Sequence, residues 1–412
     1  MTSVCFCATN SILQEPRFRR YALEFARRNP ATCVFVLDCA ATPLTDEELN
    51  VFRSEPNVVL RRAVFASKRS GFFGLALSKI SVGFARLLYR VAGHVGPSVL
   101  SMRAAPLLRE MKRVKADVFC VYTMDALLPA FICAERAGSS VAFDSMEYYA
   151  DMGDGQTARE KAVTGRILSG FLPRCTMVFA SSQVLAERLQ AEYRVKEVVA
   201  LYNCPKRTEI PLKVLKVAGS FLRLYWRNAV VALGQRGLGV LLQALTRLPE
   251  DVVLTVRGRL PLDEGEHVFR KIASLGLVHR VTVLPPHAVE DGVIAAQEYD
   301  IGVCPESAGP LNHDMTVSNK MFDFLAAGLA VVSSDLAGLR RVIEESAAGL
   351  LFAPDDADAL AAQIKVLYDD RELLARLSGN ASRYHLGSAN FESQFERFYS
   401  TFLAATKGIE PT

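Results

Sequence analysis

The chain has 412 residues, too many for a single hydrophobic core of ordinary size, so two domains are expected. Half of the residues are hydrophobic and 22% are charged, the balance of a protein that folds in water, and no run approaches the roughly 18 uninterrupted apolar residues that would span a bilayer. The net charge of +4 is small for this length, so any ionic partner must be sought in local clusters.

The N-terminal run MTSVCFCATNSIL lacks the basic start and small-residue cleavage site of a signal peptide and alternates like a first strand, so export is not expected. Short apolar runs and helical patterns then alternate: VCFCAT and a helix over 17–28, CVFVLD, ADVFCVY and a helix over 126–136, SVAFD, and MVFASS with a helix over 184–193. Alternation of this kind predicts a parallel sheet covered on both faces. The nine cysteines are odd in number, form no CxxC pair, and lie largely in these apolar runs (Cys5, Cys7, Cys33, Cys120, Cys175, Cys304), as expected for reduced core residues of a cytosolic protein.

Between Arg61 and Lys115 the balance of charge changes. Basic residues stand at 61, 62, 68, 69, 79, 86, 90, 103, 109, 112, 113 and 115, against the single acid Glu110. Within this stretch FFGLALSKISVGFARLLYRV, Phe72 to Val91, is amphipathic, with Lys79, Arg86 and Arg90 sharing one face and Phe73, Leu77, Ile80, Phe84, Leu87, Leu88 and Val91 elsewhere. Such a helix can lie on an anionic membrane surface or turn its apolar face to a core. Nucleic acid is not expected as the anion, since no recognition motif or interleaved aromatic platform is present.

The segment LYNCPKRTEIPLKVLKVAGSF has no clear period and places a domain boundary near residues 204–220. The strand and helix rhythm then restarts with LRLYW, a helix over 237–248, VVLTVRG, a helix over 266–275, RVTVLPP and YDIGVCP. The run SNKMFDFLAAGLAVVSSD, Ser318 to Asp335, reads as a capped helix start, a glycine stop at Gly328 and an apolar strand. Ser318 is the expected cap, and Asn319 and Lys320 occupy the first turn. Asp323 follows Lys320 by three residues, so periodicity allows either a surface ion pair or a ligand-facing lysine and carboxylate. A final helical pattern, with Phe391, Phe395, Phe398 and Phe402, is expected to dock back on the first domain.

At SNKMFDFLAAGLAVVSSD the chain resembles the family 4 type glycosyltransferases of the GT-B fold. QRGLGVLLQAL (235–245), VVLTVRGRLP (252–261), YDIGVCP (299–305), EPRFRRYALEFARR (15–28), VAFDSMEYY (141–149) and VFASSQVLAERL (178–189) are similar to further family segments in the expected order. The resemblance implies two Rossmann-like doubly wound domains facing a cleft: 1–205 with the C-terminal helix 388–412 for the acceptor, and 206–387 for a nucleotide-sugar.

It also implies that Asp323 holds the ribose, that Arg236 neutralises the diphosphate, and that Lys320, Asn319 and Ser318 complete the donor site. Arg227, Arg257 and Arg259 are looser candidates for the same site, read as surface residues before ligands. Asp144 and Glu147 are the candidate catalytic carboxylates near the acceptor, Asp144 being equally suited to satisfying loop amides. The sequence departs from the family pattern at Met315, where a carboxylate is expected while Asp314 and Glu306 stand out of register, and at Met146, where a histidine is expected.

No Asp-x-Asp motif or histidine spacing marks a metal site, so neither metal nor cofactor is expected beyond the nucleotide-sugar as co-substrate. The implied activity is sugar transfer to a saccharide or lipid-diphosphate-linked acceptor on the cytoplasmic face of a membrane, contacted through 61–115, in cell-surface polysaccharide or glycolipid biosynthesis. A non-catalytic subunit of the same fold and a nucleotide-sugar epimerase remain as alternatives.

Overall fold

The structure is a computed structural model that describes residues 1–66, 72–153, 155–208, 221–234, 236–288 and 291–407. Most of the expected boundary segment (209–220), part of the basic stretch (67–71) and the last residues (408–412) lie outside the described residues. The chain divides into two compact units, one formed by Met1–Leu201 with Phe395–Thr412 and the other by Tyr202–Gln394.

Unit 1 contains β1 (Ser3–Cys7), α1 (Pro16–Arg28), β2 (Cys33–Ala40), α2 (Asp46–Asn50), β3 (Val58–Val64), α3 (Phe72–Ala92), α4 (Ala104–Met111), β4 (Val118–Val121), α5 (Met124–Ala137), β5 (Ser140–Ser145), α6 (Ala158–Phe171), β6 (Met177–Ala180), α7 (Gln183–Tyr193) and β7 (Val199–Ala200). Its strands form one parallel sheet in the order β3-β2-β1-β4-β5-β6-β7. Strand order reverses between β1 and β4, the place where open parallel sheets offer a crevice at their carboxyl ends. Val4, Cys5, Phe6 and Cys7 are all fully buried, which is why the central strand reads as a continuous apolar run and not as an alternating one.

Unit 2 contains β8 (Leu222–Val230), α8 (Leu238–Leu245), β9 (Val252–Arg259), α9 (Leu262–Ser274), β10 (Val281–Leu284), α10 (Gly292–Ala296), β11 (Ile301–Cys304), α11 (Leu311–Met315), α12 (Asn319–Ala326), β12 (Ala330–Ser334), α13 (Ala337–Ser346), β13 (Gly349–Phe352), α14 (Ala357–Asp369) and α15 (Arg371–Gly387). Its parallel sheet runs β10-β9-β8-β11-β12-β13 and reverses between β8 and β11. The helix expected over 237–248 is shorter and closes in a turn over Thr246–Leu248, whereas α9 starts four residues earlier than expected, directly after Pro261.

The last helix, α16 (Phe391–Thr406), packs Phe395, Phe398 and Phe402 against Tyr21, Phe25, Phe6 and Phe179 of unit 1, with ring centroids 5.1 to 6.5 Å apart. Burying large aromatic rings at this spacing supplies both area and oriented ring contacts. None of the nine cysteines forms a disulfide among the described residues.

Candidate functional site

The carboxyl edge of the unit 2 sheet gathers charge at its reversal point. β8 carries Arg227 in its carboxyl half, β11 leads through Pro305 into Glu306, and α12 begins with Asn319 and Lys320. Glu306 and Lys320 are almost completely buried, and Nζ of Lys320 lies 2.8 Å from Oε1 of Glu306. The other oxygen, Oε2, accepts from Nη1 of Arg236 at 3.0 Å. Burial alone pushes the Glu306 carboxyl up, but Lys320 and Arg236 more than reverse this and hold it below the ordinary carboxylate value.

Backbone geometry puts Arg236 there. Arg236 and Gly237 are both left-handed (φ 47° and 71°), so the chain turns sharply into α8. A Cβ at Gly237 would overlap the carbonyl oxygen of Pro305, so only glycine lets this turn approach the end of β11. Trp226 ties the two sides together: its Nε1 donates to the Arg236 carbonyl at 3.1 Å, and its ring centroid lies 5.5 Å from the Lys320 ammonium. Apart from its contact with Glu306, Nζ of Lys320 has no hydrogen-bond partner among the described residues, so part of its donor capacity is unspent.

Lys320 and Asp323 do not pair with each other, although three residues apart. Asp323 instead meets the guanidinium of Arg227, through Oδ2 and Nη2. A Cβ at Gly292, the first residue of α10, would stand 2.7 Å from the same Oδ2. Burial holds the Arg227 guanidinium below its usual value. Arg227 is therefore not the surface residue expected from the sequence; a charged residue directly after the fully buried run Leu224, Tyr225 and Trp226 was the available signal. Together the edge carries three cations, Arg227, Arg236 and Lys320, against two carboxylates.

Asn319 accepts from Nδ2 of Asn203 at 3.1 Å through its Oδ1. Ser318 stands at the cap position of α12, but its hydroxyl makes no capping bond, contrary to expectation; its carbonyl accepts from the Met321 amide at 3.0 Å. Met315 is buried, and Asp314 accepts from the first amide of α13, Ala337, at 2.9 Å. Glu306, set aside in the sequence for its register, is thus the carboxylate that reaches Arg236 and Lys320. Its signal was its place immediately after a fully buried strand.

In unit 1, Asp144 is the penultimate residue of β5 and is buried. Its Oδ2 and Oδ1 accept from Nε and Nη2 of Arg17 at 2.8 and 2.9 Å, and Nη1 of Arg17 donates to the Leu201 carbonyl at 2.6 Å. A guanidinium, not loop amides, satisfies this carboxylate. Burial raises the Asp144 carboxyl, and Arg17 opposes that rise without cancelling it. Glu147 lies two residues beyond β5, half-buried, with its carbonyl accepting from the Ser145 hydroxyl at 3.0 Å.

Among the described residues, no group of three or more His, Cys, Asp or Glu side chains is placed to hold a metal ion. Residues 228–370 match the family model of glycosyl transferases group 1. A phosphatidyl-myo-inositol mannosyltransferase of Mycolicibacterium smegmatis is 30% identical over 182 residues, 42% of this chain and 43% of that protein, so the match spans less than half of the relative's length. Among solved structures, Anabaena HepE in complex with UDP is 16% identical and superposes with a TM-score of 0.68 over 98% of this chain and 100% of its own. A glycosyltransferase from Rickettsia africae (12% identity, TM-score 0.66, 99% of each chain) and the sucrose-phosphate synthase of Thermosynechococcus elongatus (15%, 0.66, 98% and 100%) are similar to the same extent. At these identities the likeness concerns the fold, and that fold is GT-B.

Proposed function

We propose that this chain, which belongs to the family 4 type glycosyltransferases of the GT-B fold, moves a sugar from a nucleotide-sugar donor to an acceptor hydroxyl. Unit 2 holds the donor. The observation that carries the reading is the buried Lys320, ion-paired to Glu306 beside Arg236 and with donor capacity to spare, at the carboxyl edge of a parallel sheet. A diphosphate bound there gains charge as the bond from the anomeric carbon to its oxygen breaks and the electron pair stays on that oxygen. Fixed cations stabilise that developing charge.

Asp323 takes the ribose hydroxyls, exchanging part of its contact with Arg227, while Asn319 and Ser318 complete the donor site. The acceptor oxygen forms the new bond to the anomeric carbon, and Glu147 takes its proton. Asp144, held by Arg17, positions the β5 loop that carries Glu147. No metal takes part, since Arg227, Arg236 and Lys320 supply the positive charge.

The acceptor is a lipid-linked saccharide, in cell-surface polysaccharide or glycolipid biosynthesis. The lipid acceptor named for the mycobacterial relative and the surface of α3 support this. Ile80, Phe84, Leu87 and Val91 are 65%, 60%, 51% and 77% exposed, an apolar row at helical spacing that turns outward and not into a core, with Lys79 and Arg90 exposed beside it. That row lies on the cytoplasmic face of an anionic membrane. No helix among the described residues is long and apolar enough to cross one.

Thermal stability against a panel of nucleoside diphosphates and nucleotide-sugars tests the reading. A ligand at about 100 times its Kd adds roughly 2.7 kcal/mol. One base should give a clear shift that Asp323→Ala abolishes and EDTA leaves unchanged. No shift from any nucleotide favours a non-catalytic subunit, and donor conversion without any acceptor favours an epimerase.

A further inference from the structure

Unit 1 contains a cavity of about 390 Å3 at the carboxyl edge of β1, β2 and β3, separate in its residues from Asp144 and Glu147. One side is built on a buried ion triad. Arg62, whose side chain is 3% exposed, donates from Nε to Asp38 Oδ1 at 2.8 Å, from Nη1 to Glu48 Oε2 at 2.7 Å and from Nη2 to Glu48 Oε1 at 2.6 Å, with a further Nη2 contact to Asp38 Oδ2. Glu48 also accepts from the Ser11 hydroxyl at 2.7 Å and from the Thr45 amide at 2.9 Å.

Burying three charged groups costs several kcal/mol that their attraction only partly returns, and apolar residues of similar volume would hold the loop as well. What the triad adds is rigidity in a polar wall: it fixes the loop between β2 and α2 together with α2 itself, and with them Thr42 and Glu47, against β3. Its own oxygens are spent on Arg62, Ser11 and Thr45, so a ligand meets other groups.

Those groups line the same cavity. Glu47 is exposed on its rim and has no ion pair among the described residues. Arg103 also lines it, 5.0 Å from the Phe65 ring centroid, and makes its side-chain hydrogen bonds through Nη1, to the neutral oxygens of Thr9 (3.1 Å) and Asn10. Nε and Nη2 remain to donate. A carboxylate and a guanidinium lining one cavity, together with Thr42 and Gln14, suit a compact ligand whose groups both donate and accept and which brings no net charge. Leu13 and Ala41 offer apolar surface to its C–H face.

We propose that this cavity is a saccharide subsite that takes one uncharged pyranose ring of the acceptor, its vicinal hydroxyls donating to Glu47 and accepting from Arg103. This rests on the acceptor-binding reading of unit 1. A free phosphate or a nucleotide is disfavoured, because the carboxylate of Glu47 lines the same cavity and repels its charge.

Saturation-transfer NMR on the full chain with the methyl glycosides of glucose, galactose, mannose and N-acetylglucosamine decides it. At least one glycoside should bind, and Ala41→Trp, which fills the cavity, and Glu47→Ala, a change on an exposed rim, should each weaken it at least tenfold. Inorganic phosphate at equal concentration should not displace it. Absence of binding by every glycoside, binding equal in both variants, or displacement by phosphate overturns the proposal. The nucleoside diphosphate shift, measured on the same samples, reports separately on the donor site and shows that each variant is folded.

Discussion

Glu306 and Lys320 form an ion pair with 2.8 Å between Oε1 and Nζ, and both side chains are 4% exposed. Removing one charge from such a pair strands the other in a poorly solvated place. Glu306→Gln should therefore lower stability by about 3 kcal/mol in urea unfolding. It should also leave Lys320 and Arg236 uncompensated, so a nucleoside diphosphate should raise the Tm of the variant by more than that of the parent chain. An equal or smaller rise would mean that phosphate does not reach these cations.

Gly237→Ala tests the turn into α8. The left-handed backbone alone costs an alanine about 1–2 kcal/mol, and the added methyl must also push the Pro305 carbonyl away from Arg236. The expected result is a lower Tm and nucleotide binding weakened at least tenfold by calorimetry. A variant that binds as well as the parent would show that the position of Arg236 is immaterial to the donor.

Glu48 makes stability depend on acid. Its hydrogen bonds from Arg62 above all hold its pKa down to about 2, against 4.5 ordinarily, despite partial burial. A carboxylate depressed in this way stabilises the fold above its unfolded pKa and loses that contribution as pH falls through the folded one. The window is therefore pH 4.5 down to 2, and the contribution is roughly 3 kcal/mol. Glu48→Gln should be less stable than the parent at pH 7, with the gap closing across that window in denaturant titrations. A gap that stays constant with pH would remove Glu48 from the acid response.

The outward row of α3 predicts sedimentation with vesicles containing anionic lipid and little with neutral ones. Replacing Phe84 and Leu87 together by aspartate should reduce binding at least tenfold while the Tm changes little, because both side chains are already more than half exposed. Raising salt should weaken binding through screening of Lys79 and Arg90. Equal sedimentation of parent and variant would remove α3 as the contact.

Two parallel α/β sheets could be read from the chain because the signal is local: VCFC and DIGVC are apolar on both faces, as buried parallel strands must be, and the intervening helices keep one apolar stripe. The same locality brought Asn319, Lys320 and Asp323 to one short helix and Arg236 to the start of another. It could not give their partners. Sequence spacing suggested Lys320 with Asp323, yet packing sends Lys320 to Glu306, fourteen positions earlier, and Asp323 to Arg227 on another strand. An ion pair forms wherever the sheet order delivers the opposite charge, and that order reverses at β8 and β11 in a way no local period records. The same holds for Asp144, whose guanidinium lies 127 residues away, and for the amphipathic α3, whose periodicity is identical for a core-facing and an outward helix. Periodicity and turn chemistry act over a few residues and are written in the sequence; which charges meet, and which apolar face stays open, is decided only when distant strands and helices compete for the same space.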